Sequence, residues 1–323
     1  MDTDQFQQLA SDIREQVSKV IVGQDEAVDG VLRCLLADRH ALLEGMPGLG
    51  KTSLVRAFAA AAGLPSGRIQ FTPDLMPADI TGTNVLTRSP GGEMTIIFQP
   101  GPVFTSLLLA DELNRATPKT QSALLEAMQE RTVTIAGVTR EVPQPFCVLA
   151  TQNPIETHGT FPLPEAQLDR FMLKLHFTPP GRDELRDIVL RDAGPAQPAQ
   201  VTEPGVLSDM IRLVHAVPMA PHVADYAGRL VLALDPRHPS ASGKVRSFVR
   251  YGPSPRGAQA LCLAGRATAL LDGRLSLAFR DIRAVAPQAL RHRVLLSLEG
   301  QREGVSPDDL VAAALASVGE ASP

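Results

Sequence analysis

Residues 45–52 read Gly-Met-Pro-Gly-Leu-Gly-Lys-Thr, which satisfies the spacing GxxxxGK[ST] of a phosphate cradle. Glycines let backbone N–H groups curl around phosphate oxygens, and a helix N-terminus behind them adds positive potential. Lys51 would reach the β/γ-phosphates of ATP and the Thr52 hydroxyl would ligate Mg²⁺. Gly45, Pro47, Gly48, Leu49, Gly50, Lys51, Thr52 and Ser53 are therefore the candidate nucleotide-binding stretch. Asp111 and Glu112 close the apolar run LLLADE. Asp111 would hold the Mg²⁺ shell, and Glu112 would orient and polarise an attacking water. Asn153, ending CVLATQN, offers a neutral amide for that water or for the γ-phosphate. Arg170 in AQLDRF and Arg256 in SPRG are two further cations. Arg256 falls in the first turn of a helix capped by Ser254 and Pro255, where it opposes the helix dipole and so suggests an anion from outside.

These groups need a scaffold that brings separate strand ends together. HALLEG reads as a short buried strand running into the glycine stretch, SLVRAFAAAAG as a helix ending at a glycine cap, and RIQFT as the next strand. Strand, loop, helix, strand begins a parallel βαβ sheet. SLLLADE, PFCVLATQN and FMLKLHF add buried strands whose polar ends fall at the carboxyl edge, where ligands of such sheets bind. Gln24 to Ala37 has helical periodicity, and Thr117-Pro118 caps a helix ending near Glu130. Two hairpins interrupt the rhythm: NVLTR-SPGG-EMTIIFQ, and TVTIAGVTREV turning at Ala136-Gly137. GPAQPAQVTEPG, from Gly194 to Gly205, reads as a linker before a run of helical patterns. The expected division is an α/β nucleotide-binding core over 1–194, a linker over 195–205 and a smaller all-α lid over 206–323. DPRHPSASGKVRSFVRYGPSPRG reads as a basic loop before Arg256.

At 323 residues the chain exceeds the usual single-domain length, which favours two packed units. With 31 Lys and Arg against 35 Asp and Glu, the formal charge of −4 argues against a protein devoted to nonspecific nucleic-acid binding. No apolar run is long enough to span a membrane, and the opening MDTDQFQQLASD lacks the pattern of a secretory signal, so a soluble cytoplasmic protein is expected. Cys34, Cys147 and Cys262 lie far apart in apolar segments and read as buried reduced thiols.

Taken in order and spacing, GMPGLGKT, LLLADELNRATPKTQSALLEAMQE, VLATQNP, FPLPEAQLDRF and GPSPRG resemble the MoxR family of AAA+ ATPases. The resemblance is dense from Ile21 to Ala260. It implies a Rossmann-like P-loop core with a helical lid, in the clade with one hairpin inserted in helix 2 and another before sensor 1. It implies Walker A at Lys51 and Thr52, Walker B at Asp111 and Glu112, sensor 1 at Asn153 and sensor 2 at Arg256. Val22, Gly23 and Gln24 match the segment near adenine. Arg170 matches the arginine finger, which would act on ATP held by a neighbouring subunit, so a ring, most simply a hexamer, is implied. Arg115 is a second candidate interface arginine. Family partners carry a von Willebrand factor A domain with a metal site, so the implied activity is Mg²⁺-dependent ATP hydrolysis driving maturation, or metal insertion, of a protein client. Thr157, His158 and Phe161 depart from the family's usual acidic, amide and tyrosine residues.

Two other readings remain open. A DNA-acting motor would want basic or aromatic hairpin tips, whereas SPGG and AGV are nearly uncharged. A nucleotide-switched scaffold with little turnover would not need the intact acid, amide and finger positions. A GTPase reading lacks an NKxD signature.

Overall fold

The computed structural model describes residues 1–88, 93–153, 159–190 and 197–320. The Ser89–Gly92 hairpin tip, Thr157 and His158, and the start of the linker from Gly194 lie outside the described residues. The chain opens with α1 (Thr3–Ser18), an element the sequence reading passed over. Asp2 and Gln5 form a capping box at its start, and Phe6, Ala10, Ile13 and Val17 recur at helical spacing and are buried. There follow α2 (Asp25–Leu36), β1 (Ala41–Glu44), α3 (Lys51–Ala62), β2 (Ser66–Gln70) and the short α4 (Pro77–Thr81). The first hairpin pairs β3 (Gly82–Arg88) with β4 (Met94–Pro100) antiparallel. β5 (Leu107–Asp111) leads to α5 (Pro118–Glu130). Thr117 is the N-cap residue of α5 by position, but its hydroxyl faces that of Thr120 at 3.2 Å rather than a backbone N–H. The second hairpin, β6 (Thr132–Ile135) with β7 (Val138–Glu141), turns through Ala136 and Gly137, both at positive φ, as a two-residue turn demands. β8 (Cys147–Gln152), α6 (Glu165–Leu168), β9 (Leu173–His176) and α7 (Arg182–Leu190) complete the α/β part.

Five strands form one parallel sheet in the order β2-β5-β8-β1-β9. Alternation along the strands sorts their side chains into two cores. Leu43, Leu107, Leu109, Leu149 and Leu173 face α1, α2 and α3, while Leu42, Leu108, Ala110, Val148 and Ala150 face α5 through Leu124, Leu125 and Met128. Cys34 and Cys147 are buried thiols; Cys262 is only half-buried.

The C-terminal part comprises α8 (Pro204–Ala216), α9 (Pro221–Ala233), α10 (Gly243–Phe248), β10 (Val249–Tyr251), α11 (Pro255–Leu271), α12 (Phe279–Leu290), β11 (Leu295–Leu296), α13 (Leu298–Arg302) and α14 (Pro307–Ser317). Two expectations are corrected. The lid is not all-α, because β10 and β11 pair antiparallel. The supposed loop before Arg256 contains α10, whose first turn is capped by Ser242, followed directly by β10. We propose the boundary at 195–205 on the change from sheet to helices. Hydrophobic packing does not stop there: residues of α8, α9, α11 and α12 belong to the same cluster as α1, α2 and α3. Gln7 of α1 also donates to the carbonyl of Leu271 at the end of α11, 3.1 Å away.

His40, fully buried before β1, accepts from the Val148 N–H at 3.0 Å and donates to the Met128 carbonyl at 3.1 Å, joining sheet and α5. Burial, then Arg131, lowers its pKa from 6.5 to about 3. His292 is held well below 6.5 by burial and by Arg293. Unfolded histidines take up protons below about pH 6.5 while these two stay neutral, so stability falls as pH drops. The expected slope between about pH 6 and 5 approaches about 2.7 kcal/mol per unit for the two together. Urea unfolding across that range should show His40→Gln removing roughly half of it; an unchanged slope would refute the assignment.

Candidate nucleotide-binding site

β1 delivers the chain to Gly45, where a side chain would meet Cβ and the carbonyl oxygen of Phe177 at 2.6 and 2.8 Å. Backbone contact that close admits only glycine. Gly48 and Gly50 adopt φ of 83° and 85°, left-handed values that turn the loop into α3. Gly50 is the N-cap of α3 and supplies no side chain to its first N–H groups, which leaves them available to an anion. Lys51 folds back to donate to the Gly45 carbonyl. Burial lowers its pKa, against the opposing pull of Asp111, Glu112 and Glu44. At the end of β1, burial would raise the Glu44 pKa, but His176 and Lys174 together bring it down to about 2.

The acids arrive on β5. Asp111 ends the strand, and Glu112 takes φ 56° and ψ 48°, a left-handed conformation costly for a residue with a side chain. Thr151 of β8 holds both: its hydroxyl donates to Asp111 Oδ1 and accepts from the Glu112 N–H, each at 2.7 Å. Arg68 of β2 pairs with Asp111 Oδ2 at 2.7 Å. Glu112 Oε2 accepts from Gln70 Nε2 at 2.7 Å and lies 3.0 Å from Arg115 Nε. Arg115 is thus engaged within its own chain. Asn153, 8% exposed, follows β8 and faces the same space.

That space is a cleft of about 440 Å³. It brings together Pro47, Gly48, Gly50, Lys51, Thr52 and Ser53 with Asp111, Glu112 and Asn153. Gly45 and Leu49 support the loop from behind; Leu49 packs on the first hydrophobic core. Val22 and Gly23 are not among the cleft walls. They lie beside it through Ile21, whose Cδ1 is 3.8 Å from where a Gly50 side chain would begin, and Gly23, at φ 69°, abuts the Glu184 carboxylate. The sequence reading missed Arg68, Gln70 and Thr151. Its usable signal was alternation: Arg68 and Gln70 share one face of β2, and Gln70 is in register with Asp111.

The two remaining arginines are elsewhere. Arg170 and Arg256 line a second cavity, of about 860 Å³, between the α/β part and the C-terminal helices, and it shares no wall residue with the cleft. Arg170 donates to the Leu125 carbonyl, and its pKa is lowered by burial and then by Arg256. Arg256 stands 4.0 Å from Asp169. Ser254, which caps the helix of Arg256, is tied to Asp169 and fixes the start of α11 beside Arg170.

Donor chemistry fits a magnesium nucleotide. An uncapped helix start and Lys51 suit phosphates, while a threonine hydroxyl and a carboxylate are hard oxygen ligands. Among the described residues no three His, Cys, Asp or Glu side chains gather into a metal site of their own.

Known proteins agree with this architecture. Residues 40–173 match the ATPase family associated with various cellular activities (AAA), and residues 244–314 match the AAA lid domain. Chaperone MoxR1 of Mycobacterium tuberculosis is 42% identical over 300 residues, covering 92% of this chain and 78% of that protein. Protein MoxR of Methylorubrum extorquens is 33% identical over 327 residues, covering 94% and 93%. A crystal structure from Cytophaga hutchinsonii, whose own ATPase assignment is provisional, superposes with a TM-score of 0.91 at 35% identity, covering 98% of this chain and 96% of that one. With a P-loop at the carboxyl edge of a five-stranded parallel sheet and a lid behind it, this chain belongs to the MoxR family of AAA+ ATPases.

Proposed function

We propose that the protein hydrolyses ATP with Mg²⁺ and uses the reaction to remodel a protein client. The observation that carries this reading is the cleft itself, where Lys51 and an uncapped helix start face Asp111 and Glu112. Thr52 and Asp111 would hold Mg²⁺, which would supply positive charge to offset that building on the phosphates. For Asp111 to do so, Arg68 must release it. Glu112 accepts hydrogen bonds from an attacking water, with Gln70 and Arg115 restraining its carboxylate; Asn153 orients the water or the γ-phosphate.

Arg170 and Arg256 line a cavity separate from this cleft and so would act on nucleotide held by a neighbouring copy. Such cations stabilise transition-state charge, contributing about 10³ to 10⁵ in turnover for a well-placed finger. Activity then requires assembly, and a hexameric ring is the proposed form. A protein client is favoured over nucleic acid by the first hairpin, where Leu86 and Ile96, a cross-strand pair, are 60% and 70% exposed. A von Willebrand factor A domain protein is the proposed client, metal insertion or maturation the proposed outcome, and the cytoplasm the proposed location. No helix among the described residues is long and apolar enough to cross a membrane.

Glu112→Gln should lower turnover by about 10²-fold or more while retaining ATP, and Lys51→Ala should lose ATP binding itself. Undiminished hydrolysis in Glu112→Gln would sink the assignment. Affinity capture on Glu112→Gln with ATP should recover a protein client; recovery of nucleic acid would reverse that choice. Gln70→Leu should reduce kcat about tenfold with ATP affinity within about twofold of the parent, because Gln70 orients the Glu112 carboxylate and the Arg68 guanidinium rather than the phosphate cradle. An ATP affinity that falls as much as kcat would place Gln70 in binding instead.

A further inference from the structure

We infer that Asp169 is a positioning residue that joins Arg170 and Arg256 into a single two-arginine clamp for a phosphate group presented by a second copy of this chain. The two arginines come from distant parts of the sequence. Arg170 follows α6, and Arg256 opens α11. Asp169, whose side chain is 15% exposed, stands between them. Its Oδ2 accepts from Ser254 Oγ at 2.6 Å, and the Ser254 oxygen in turn accepts from the Arg256 N–H at 3.1 Å. Its Oδ1 accepts from Arg293 Nε at 2.7 Å.

Arg293 fixes the other side. Its side chain, 3% exposed, follows α12 and donates to the carbonyls of Asp169 at 3.0 Å, Phe171 at 2.8 Å and Met172 at 3.2 Å. The backbone is therefore gripped on both flanks of Arg170. A buried guanidinium spending its donors this way acts as a rigid bracket. Asp169 is the one group that touches every part: bracket, cap of α11 and, by covalent adjacency, Arg170. Two neighbouring cations repel, and holding them at fixed spacing before an anion arrives is what preorganised electrostatic stabilisation requires. Glu126 and Glu130 also face Arg170, from α5.

This inference rests on the reading that Arg170 and Arg256 act on a neighbour's nucleotide, and the test separates the two. Purified variants of the full chain are compared for ATP affinity, by equilibrium binding, and for turnover. Asp169→Asn should bind ATP within about twofold of the parent and turn over about tenfold to a hundredfold more slowly, the penalty for a displaced charge. Mixed in equal amounts with Glu112→Gln, it should recover about a quarter of parental turnover, since random assembly forms that fraction of interfaces with an intact cleft facing an intact clamp. Mixed with Arg170→Ala, it should recover nothing, both defects lying on the same side. Ser254→Gly keeps a residue tolerated at a helix N-cap and removes the hydroxyl that links Asp169 to the Arg256 N–H, so it should reproduce part of the kcat loss, with Ser254→Thr restoring it.

Parental turnover in Asp169→Asn and Ser254→Gly beside an impaired Arg170→Ala would overturn the inference. Recovery of Arg170→Ala, but not of Asp169→Asn, by Glu112→Gln would overturn it equally. Parental turnover in Arg170→Ala would overturn the underlying reading instead.

Discussion

Parallel pairing is the constraint on which the rest of this molecule depends. Because β2, β5, β8, β1 and β9 all run the same way, their last residues collect at one edge, whatever their separation in sequence. Register does the fine work: Gln70 stands opposite Asp111, and Glu44 lies opposite both Gln152 and His176. A slip of one residue would turn every side chain to the other face and empty the cleft. The slip is blocked by burial on both faces, since each central strand divides its apolar residues between two cores. Chemistry at the edge and packing in the middle are thus set by the same hydrogen bonds.

Much of this was legible in the sequence because it is written locally. The five sheet strands, the Gly63 cap of α3 and both hairpins carry short-range signals of alternation, left-handed glycine or turn chemistry. The P-loop, Asp111, Glu112 and Asn153 were legible for the related reason that each sits at the end of such a strand. What escaped depends on distant partners. α1 hides its four buried positions among polar neighbours, and only α2, α3 and the lid against it explain its packing. β10 and β11, of three and two residues, become strands only by finding each other across α11 and α12. Arg256 was identifiable as an arginine near a helix start, but which cavity it lines depends on where α11 docks.

The cleft is also poised electrostatically. Each acid of the cleft has a guanidinium partner: Arg68 on Asp111 and Arg115 near Glu112. Thr151 supplies geometry without charge, satisfying the backbone of one acid and the carboxylate of the other. The left-handed backbone at Glu112 is tolerated because that N–H has a partner and the following turn, Leu113 to Arg115, leads directly into α5. Arg170 and Arg256 stand outside this arrangement, lining a cavity that shares no wall residue with the cleft.

The first helix bears on how such a protein can be rebuilt. α1 belongs to the nucleotide-binding end of the chain, yet it packs into the cluster that contains α11 and reaches the carbonyl of Leu271. This lid therefore does not trade as a cassette cut at the linker alone. A chimaera that kept one parent's residues 1–18 beneath another's α11 would inherit a mismatched seam, so the natural unit of exchange is discontinuous: the lid together with the opening helix that it covers.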